Sequence, residues 1–249
     1  MAPPLRFCAI IEARMTSTRL PGKVLLPAVG KPMLELMVER LRRVPSLAGI
    51  VIATTVNATD DPVEALARRL GVDCYRGSEE DVLTRVLEAS RAHEVDVIVE
   101  ITGDCPLIDP GVVEDVIARY RESGVDYVSN FLEGRRYPLG METQAFATTI
   151  LEDVARRSDD PVDHEHVSLF IYRNPQLYSL ADCPPRPALA DPGLRLTLDT
   201  VEDYTLISAV FEALYPAAGP AFTLADILRF LDGRPDLRAV NSMVRQRYV

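Results

Sequence analysis

At 249 residues, 47% of them hydrophobic and 26% charged, the chain can bury a sizeable core and is not a disordered or low-complexity sequence. No apolar run approaches the roughly 20 residues of a membrane span and no apolar stretch follows the N-terminal MAPPLR as in a secretory signal, so a cytoplasmic location is expected. A formal charge of −10 argues against a broad nucleic-acid surface, and Cys8, Cys74, Cys105 and Cys183 are too scattered for a zinc site or disulfide framework, which suits free thiols.

In chain order, FCAII (7 to 11) and IVIATT (50 to 55) have the composition of strands. Between them MLELMVERLRRV follows Pro32 and places Leu34, Met37, Val38, Leu41 and Val44 on one helical face. Asp61 and Pro62 open a second helix that Gly71 closes, and VDCYR gives a short strand. Ser78 fits an N-cap, with Glu79, Glu80 and Asp81 in the first turn of a helix through VLTRVLEASRA. VDVIVEI (95 to 101), nearly all apolar, suits a central parallel strand. GDCPLIDPG then leads into a helix from about Val112 to Arg121, stopped by Gly124, and VDYVS is the next strand.

From Asn130 the texture changes. NFLEGRRYPLG is turn-rich, METQAFA suits a strand, and DDPVDHEHVSLFIYRNP a loop entering a helix, so 130–182 is expected to form an inserted lobe of a single 1–249 domain. LRLTLDT is expected to be a strand ending at Asp199, followed by helices at about 201 to 214, 224 to 231 and 236 to 246. The alternation implies a doubly wound, mostly parallel α/β sheet, in which ligands collect beyond the carboxyl ends of the strands.

EARMTSTRLPGK (12 to 23) lies at such an end. It is not a Walker A loop, which needs Gly where Ser17 stands and Ser or Thr where Val24 stands. It nevertheless offers Arg14, Arg19 and Lys23 as cations and Thr16, Ser17 and Thr18 as donors, a set suited to a triphosphate, with a solvated basic loop as the alternative. Asp104 and Asp199 each follow a strand, where two hard carboxylates suit Mg²⁺; on spacing alone, turn and cap roles are the simpler account of both. Arg76, Gly77 and Ser78 precede a helix, where they can meet base, ribose or acceptor, or merely cap. His164 and His166, two apart, do not share a helix face and make a poor metal pair. Arg135, Arg136 and Tyr137 suit an acidic acceptor, or a loop tip.

IIEARMTSTRLPGKVLLPAVGKPML, RGSEEDVLTR, ITGDCPLIDP, HEHVSLFIYRNP and LTLDTVEDY, in that order over roughly residues 7 to 214, resemble the sugar-activating cytidylyltransferases: the 3-deoxy-manno-octulosonate (KDO) and acylneuraminate enzymes, and most closely the SpsF-like branch of spore-coat polysaccharide synthesis. The resemblance implies a nucleotide-diphospho-sugar transferase-like fold with an acceptor and dimerisation lobe, and Mg²⁺-dependent transfer of CMP from CTP to an acidic sugar or related small anionic acceptor by a homodimer. It implies that Arg14 and Lys23 bind phosphates, that Ala13 and Gly103 lie beside the nucleotide, and that Asp104 and Asp199 hold the metal. Tyr137, Glu142, Gln144 and His166 then fall to the acceptor pocket. Asp199, or an acceptor hydroxyl activated by the metal, is a better base than either histidine. The chain departs from the family pattern at Glu12, usually Pro, which must point away from a triphosphate, and at Gln144, usually acidic. A nucleotide-sugar glycosyltransferase is disfavoured because GDCP stands where a DxD is common; a non-catalytic nucleotide-binding scaffold is the remaining rival.

Overall fold

Residues 4–246 are described here by a computed structural model; residues 1–3 of the N-terminal MAPPLR lie outside them. In chain order the elements are β1 (Phe7–Glu12), β2 (Pro27–Ala28), β3 (Lys31–Pro32), α1 (Met33–Leu41), β4 (Gly49–Thr55), α2 (Asp61–Leu70), β5 (Asp73–Gly77), α3 (Val82–Ala92), β6 (Val97–Thr102) and α4 (Pro110–Ser123). They continue with β7 (Tyr127–Ser129), β8 (Gln144–Ala147), α5 (Thr148–Arg157), α6 (Pro161–Glu165), α7 (Leu169–Arg173), β9 (Leu180–Asp182), α8 (Val201–Ala218), α9 (Leu224–Asp232) and α10 (Pro235–Ala239).

The main sheet runs β5-β4-β1-β6-β8-β7-β9. β5, β4, β1 and β6 are parallel, and β8 is reversed between β6 and β7. Helices cover both faces, which explains why the parallel strands are continuous apolar runs. Along β1, Phe7, Ala9 and Ile11 join one buried cluster with residues of α1, α2 and α4, while Cys8 and Ile10 join another with residues of α3 and α5. A third cluster packs α8 and α9 against Leu107, Leu194, Leu196 and Leu198. This is the mostly parallel α/β architecture expected. Residues 130–182 contribute β8 and β9 to the same sheet. Among the described residues, no helix is long and apolar enough to cross a membrane.

Three local expectations are corrected. α3 starts at Val82, because the Asp81 carboxylate accepts from Thr84 N at 2.8 Å; Ser78 accepts from Asp81 N at 3.0 Å one turn earlier, so Glu79 and Glu80 lie outside the helix. LRLTLDT forms no ladder. Its amides bond to two different loops, Leu196 to the Leu139 carbonyl at 2.7 Å and Leu198 to the Asp104 carbonyl at 2.8 Å, leaving one isolated bridge. The last helix stops at Ala239, and Asn241 turns inward to donate to Asp203 at 2.8 Å.

The fully buried Arg40 donates to the carbonyls of Ile108 at 2.8 Å and Phe222 at 2.9 Å, joining the GDCPLID loop to the C-terminal part. Asp109 reinforces that link, since one of its oxygens caps α4 and the other accepts from Leu224 N at 2.5 Å.

Candidate active site

The loop after β1 begins as an extension of the sheet, with Ala13 N donating to the Ala53 carbonyl at 3.3 Å. Buried Asp60 then catches Met15 N at 2.7 Å, and Gly22 N returns to the Met15 carbonyl at 2.9 Å, closing the loop on itself. A single 3-10 turn over Lys23–Leu25 follows, anchored by buried Val24. This folding directs the Lys23 side chain, only 12% exposed, inward.

There Lys23 Nζ lies 3.1 Å from Asp104 Oδ2 and 2.8 Å from Asp199 Oδ1. Two carboxylates 95 positions apart in sequence thus reach one cation at the carboxyl end of the sheet. Burial opposes the Lys23 charge, but Asp104 and Asp199 more than offset it and hold the ammonium above its ordinary range. Burial likewise pushes the Asp104 carboxyl up, and Lys23, aided by Thr102, overrides this and leaves it below the usual carboxylate range.

The loops bearing the two aspartates are tied through backbone. Leu198 N and Thr197 Oγ1 both donate to the Asp104 carbonyl, at 2.8 and 3.2 Å. Gly103 holds the start of the Asp104 loop tight against the end of β1: its N–H donates to the Glu12 carbonyl at 2.9 Å, and a Cβ there would lie 2.6 Å from that oxygen. Gly140 serves the other side, with φ of 102° and a Cβ position 2.7 Å from backbone of Leu196.

Asp199 is fixed from behind. Its Oδ2 accepts from Arg195 at 2.7 Å, and the same guanidinium bonds both oxygens of Asp203, at 2.8 and 3.1 Å. Asp203 accepts in turn from the amides of Asp199 and Thr200, both at 3.0 Å. Arg19 adds a contact to Asp199 Oδ1 at 2.8 Å.

A family model described as cytidylyltransferase matches residues 8–217. The chain belongs to the cytidylyltransferase family. Spore coat polysaccharide biosynthesis protein SpsF of Bacillus subtilis is 36% identical over 91% of this cytidylyltransferase and 94% of SpsF. A KDO cytidylyltransferase of Geobacter metallireducens is 26% identical, covering 74% of this chain and 81% of its own. Among solved structures, a cytidylyltransferase of Leptospira borgpetersenii superposes with a TM-score of 0.88 at 29% identity, over 99% of this chain and 100% of that one. CMP-KDO synthetase complexed with CTP shares the fold, with a TM-score of 0.64 at 20% identity over 83% of this chain and 98% of that one.

The remaining sequence candidates of this cytidylyltransferase are placed variously. Ala13 is buried beneath Gly103. Arg14 is 42% exposed at the loop surface and touches Glu79 at 3.5 Å. Arg76 is spent on structure, donating to the Thr55 and Asn57 carbonyls at 2.8 Å each and pairing with Asp61 and Glu64. Gly77 admits the Arg85 side chain, whose Cγ would lie 3.0 Å from a Cβ. Tyr137 is 3% exposed and belongs to the buried cluster with Leu194, Leu196 and residues of α8 and α9, so it packs rather than facing open space. Glu142 accepts from Gly140 N at 2.6 Å, with its carboxyl raised by burial. Gln144 Oε1 accepts from Tyr127 at 2.5 Å and from Ser168. His166 is half-buried at the end of α6, whereas His164 is the histidine that bonds Asp81, at 2.8 Å.

The sequence reading missed Arg195, Asp203 and Glu79. Glu79 holds the opening loop through Arg14 and Thr16 and ties it to Asn57, just after β4. The available signal was a charge inside an apolar run, Arg195 in LRLTL.

Proposed function

We propose that the protein transfers CMP from CTP to a small anionic acceptor such as an acidic sugar, with Mg²⁺ and with release of pyrophosphate. One observation carries this reading: Asp104 and Asp199 converge on one cation, Lys23 of the cationic 13–23 loop. Two converging carboxylates match the needs of Mg²⁺, which takes one or two protein carboxylates and completes its shell with phosphates and water. Asp104 and Asp199 would hold the ion, which when bound neutralises charge on the phosphate oxygens.

The chain's own residues do the rest by position and charge. Arg14, exposed at the loop surface, and Lys23, at its inner wall, serve the phosphates of CTP. Ala13, Gly103, Gly77 and Ser78 border the nucleotide, with Arg76 bracing that wall. The acceptor oxygen attacks the α-phosphorus, the bond to the bridging oxygen breaks, and pyrophosphate leaves with the electron pair; the acceptor's proton passes to Asp199 or to solvent. Glu142, Gln144 and His166 line the acceptor side, and residues 130–182 supply that side together with the contact of a cytoplasmic homodimer. The names of the relatives support the acceptor class: one serves spore coat polysaccharide biosynthesis and others act on 3-deoxy-manno-octulosonate.

The test is pyrophosphate release from CTP with Mg²⁺ across a panel of acidic sugars and phosphonates. Release that depends on an acceptor is expected. CTP binding without release across the panel points instead to a scaffold. Asp104→Asn should abolish turnover while circular dichroism stays native, and near-normal turnover in that variant removes Asp104 from the metal site.

A further inference from the structure

His164 is held through both of its ring nitrogens. Nδ1 lies 2.8 Å from Asp81 Oδ1, and Nε2 lies 2.8 Å from the Ser158 carbonyl oxygen. An ionised carboxylate and a carbonyl only accept, so each nitrogen must donate, and the imidazolium alone carries both protons. In either neutral tautomer one ring lone pair would meet an oxygen lone pair, and one of the two bonds would be lost.

The groups around the ring favour that cation. Glu80 and Asp81, from the loop before α3, and Asp159, from the linker between α5 and α6, line one cleft with His164 and Pro161. On the same helix as His164, Asp163 turns back to accept from Ser158 Oγ. The neighbouring arginines are engaged elsewhere. Arg85 of α3 donates to the carbonyls of Ser78 and Glu79, while Arg156 and Arg157 of α5 pair with Asp153. Burial opposes the His164 charge, but the Ser158 carbonyl, Asp81 and Asp159 outweigh it and hold the imidazole above its ordinary range.

The contact joins two walls of the proposed site. Asp81 caps α3 and follows Glu79 by two residues, and Glu79 holds the opening loop through Arg14 and Thr16. His164 lies on α6, just before His166 and Ser168, and the Ser168 hydroxyl donates to Gln144. A helix of five residues is too short to hold its shape alone, so α6 depends on such contacts for its place.

We propose that His164, as the imidazolium, is a positioning residue that latches the segment 158–168 to the cap of α3 and so sets the acceptor wall against the nucleotide wall. The latch stands on the geometry of the ring; its effect on the acceptor rests on the cytidylyl-transfer reading. Because the folded value lies above the ordinary 6.5, the latch is complete below about pH 6.5 and opens as pH rises through the folded value. On opening, the proton goes to solvent, and Asp81 keeps its bond from Thr84 N.

The test is an NMR titration of the imidazole signals of the full-length protein, assigned by replacing each of the three histidines with Gln. The His164 midpoint should lie above 6.5, and Asp81→Asn, which keeps a capping oxygen for α3 but removes the charge, should lower it. Hydrogen exchange read as protection factors, which removes the intrinsic pH dependence, then follows the amides of 158–168. Protection should fall by about tenfold across the same titration, the low end for a hydrogen bond to a charged group, and should be low and flat in His164→Gln. A midpoint at or below 6.5, one that Asp81→Asn leaves in place, or protection unchanged by His164→Gln overturns the latch. In pyrophosphate-release assays the KM for the acceptor should rise over that pH span, with the KM for CTP steady, and should be high and flat in His164→Gln. His166 remains in that variant, so an acceptor KM that keeps its pH dependence there overturns the link to the acceptor wall. Absence of release with any acceptor removes the transfer reading, while the titration and exchange results still decide the latch.

Discussion

Replacing Arg195 by Met should cost more stability than any exposed charge in the molecule. Arg195 is 7% exposed, Asp199 2% and Asp203 0%, and one guanidinium serves both carboxylates through three hydrogen bonds of 2.7 to 3.1 Å. Methionine keeps the length of the side chain but leaves two buried carboxylates facing each other. Breaking a buried pair by removing one partner costs about 3–5 kcal/mol, whereas exposed pairs are worth roughly 0–1 kcal/mol. For a domain of this size 1 kcal/mol moves Tm by roughly 2–4 °C, so a fall of about 6–20 °C is expected. Thermal and urea unfolding followed by circular dichroism measure it. Arg195→Lys should fall between parent and Met, since a point charge cannot serve both carboxylates in the fork geometry that guanidinium provides. A loss below about 1 kcal/mol for Arg195→Met would mean that solvent screens the pair, and the picture of Asp199 braced from behind would be wrong.

Lys23→Met removes the cation between Asp104 and Asp199; in the presence of a chelator its Tm should drop, and added Mg²⁺ should restore more of the loss than it adds to the parent. Equal Mg²⁺ shifts in both proteins count against metal binding by that pair. A separate outcome concerns Glu12, whose carboxyl is pushed up by burial from its ordinary 4.5 to about 7. Its folded value exceeds its unfolded one, so the folded state holds the proton longer, and stability should fall as pH rises from about 4.5 to about 7. The groups that set this are Arg85 on α3, Glu100 on β6 and Asp104 in the following loop. Glu12→Gln should flatten that stretch of a urea-midpoint profile; an unchanged slope assigns the pH dependence elsewhere.

The parallel part of the sheet was legible because its strands are apolar runs with helical periodicity between them; the insertion of reversed β8 between β6 and β7 and the pairing of β9 with β7 were not, since the pattern of one strand does not name its neighbour. The site was legible in part. Asp104, Asp199 and Lys23 stood at strand ends or in a turn-rich loop, where a polar group needs a reason to be, and they do converge. Arg76 carried the same sequence signal as Arg14, a cation after a strand, yet the carbonyls of Thr55 and Asn57 absorb it. Nothing in the sequence tells which carbonyls a turn will leave pointing inward. LRLTLDT has a strand's composition but lies between two loops, and extended backbone without a neighbouring strand cannot form a ladder. Ser78 lost the cap to Asp81 because both are good capping residues three positions apart, and only the side-chain oxygen that meets a free amide decides.

The motifs end near residue 217, but the machinery does not. Asn241 grips Asp203 and the Arg195 carbonyl, Gln246 receives a further Arg195 donor at 2.5 Å, and the Phe222 carbonyl receives Arg40. The tail therefore works as a splint applied from outside to a site whose chemistry is written elsewhere. A chain cut at the family boundary would keep each proposed catalytic side chain and lose the rigidity with which Asp199 is aimed. Exchanging tails between relatives is, by the same logic, a way to retune the site without altering one residue of the motifs that define it.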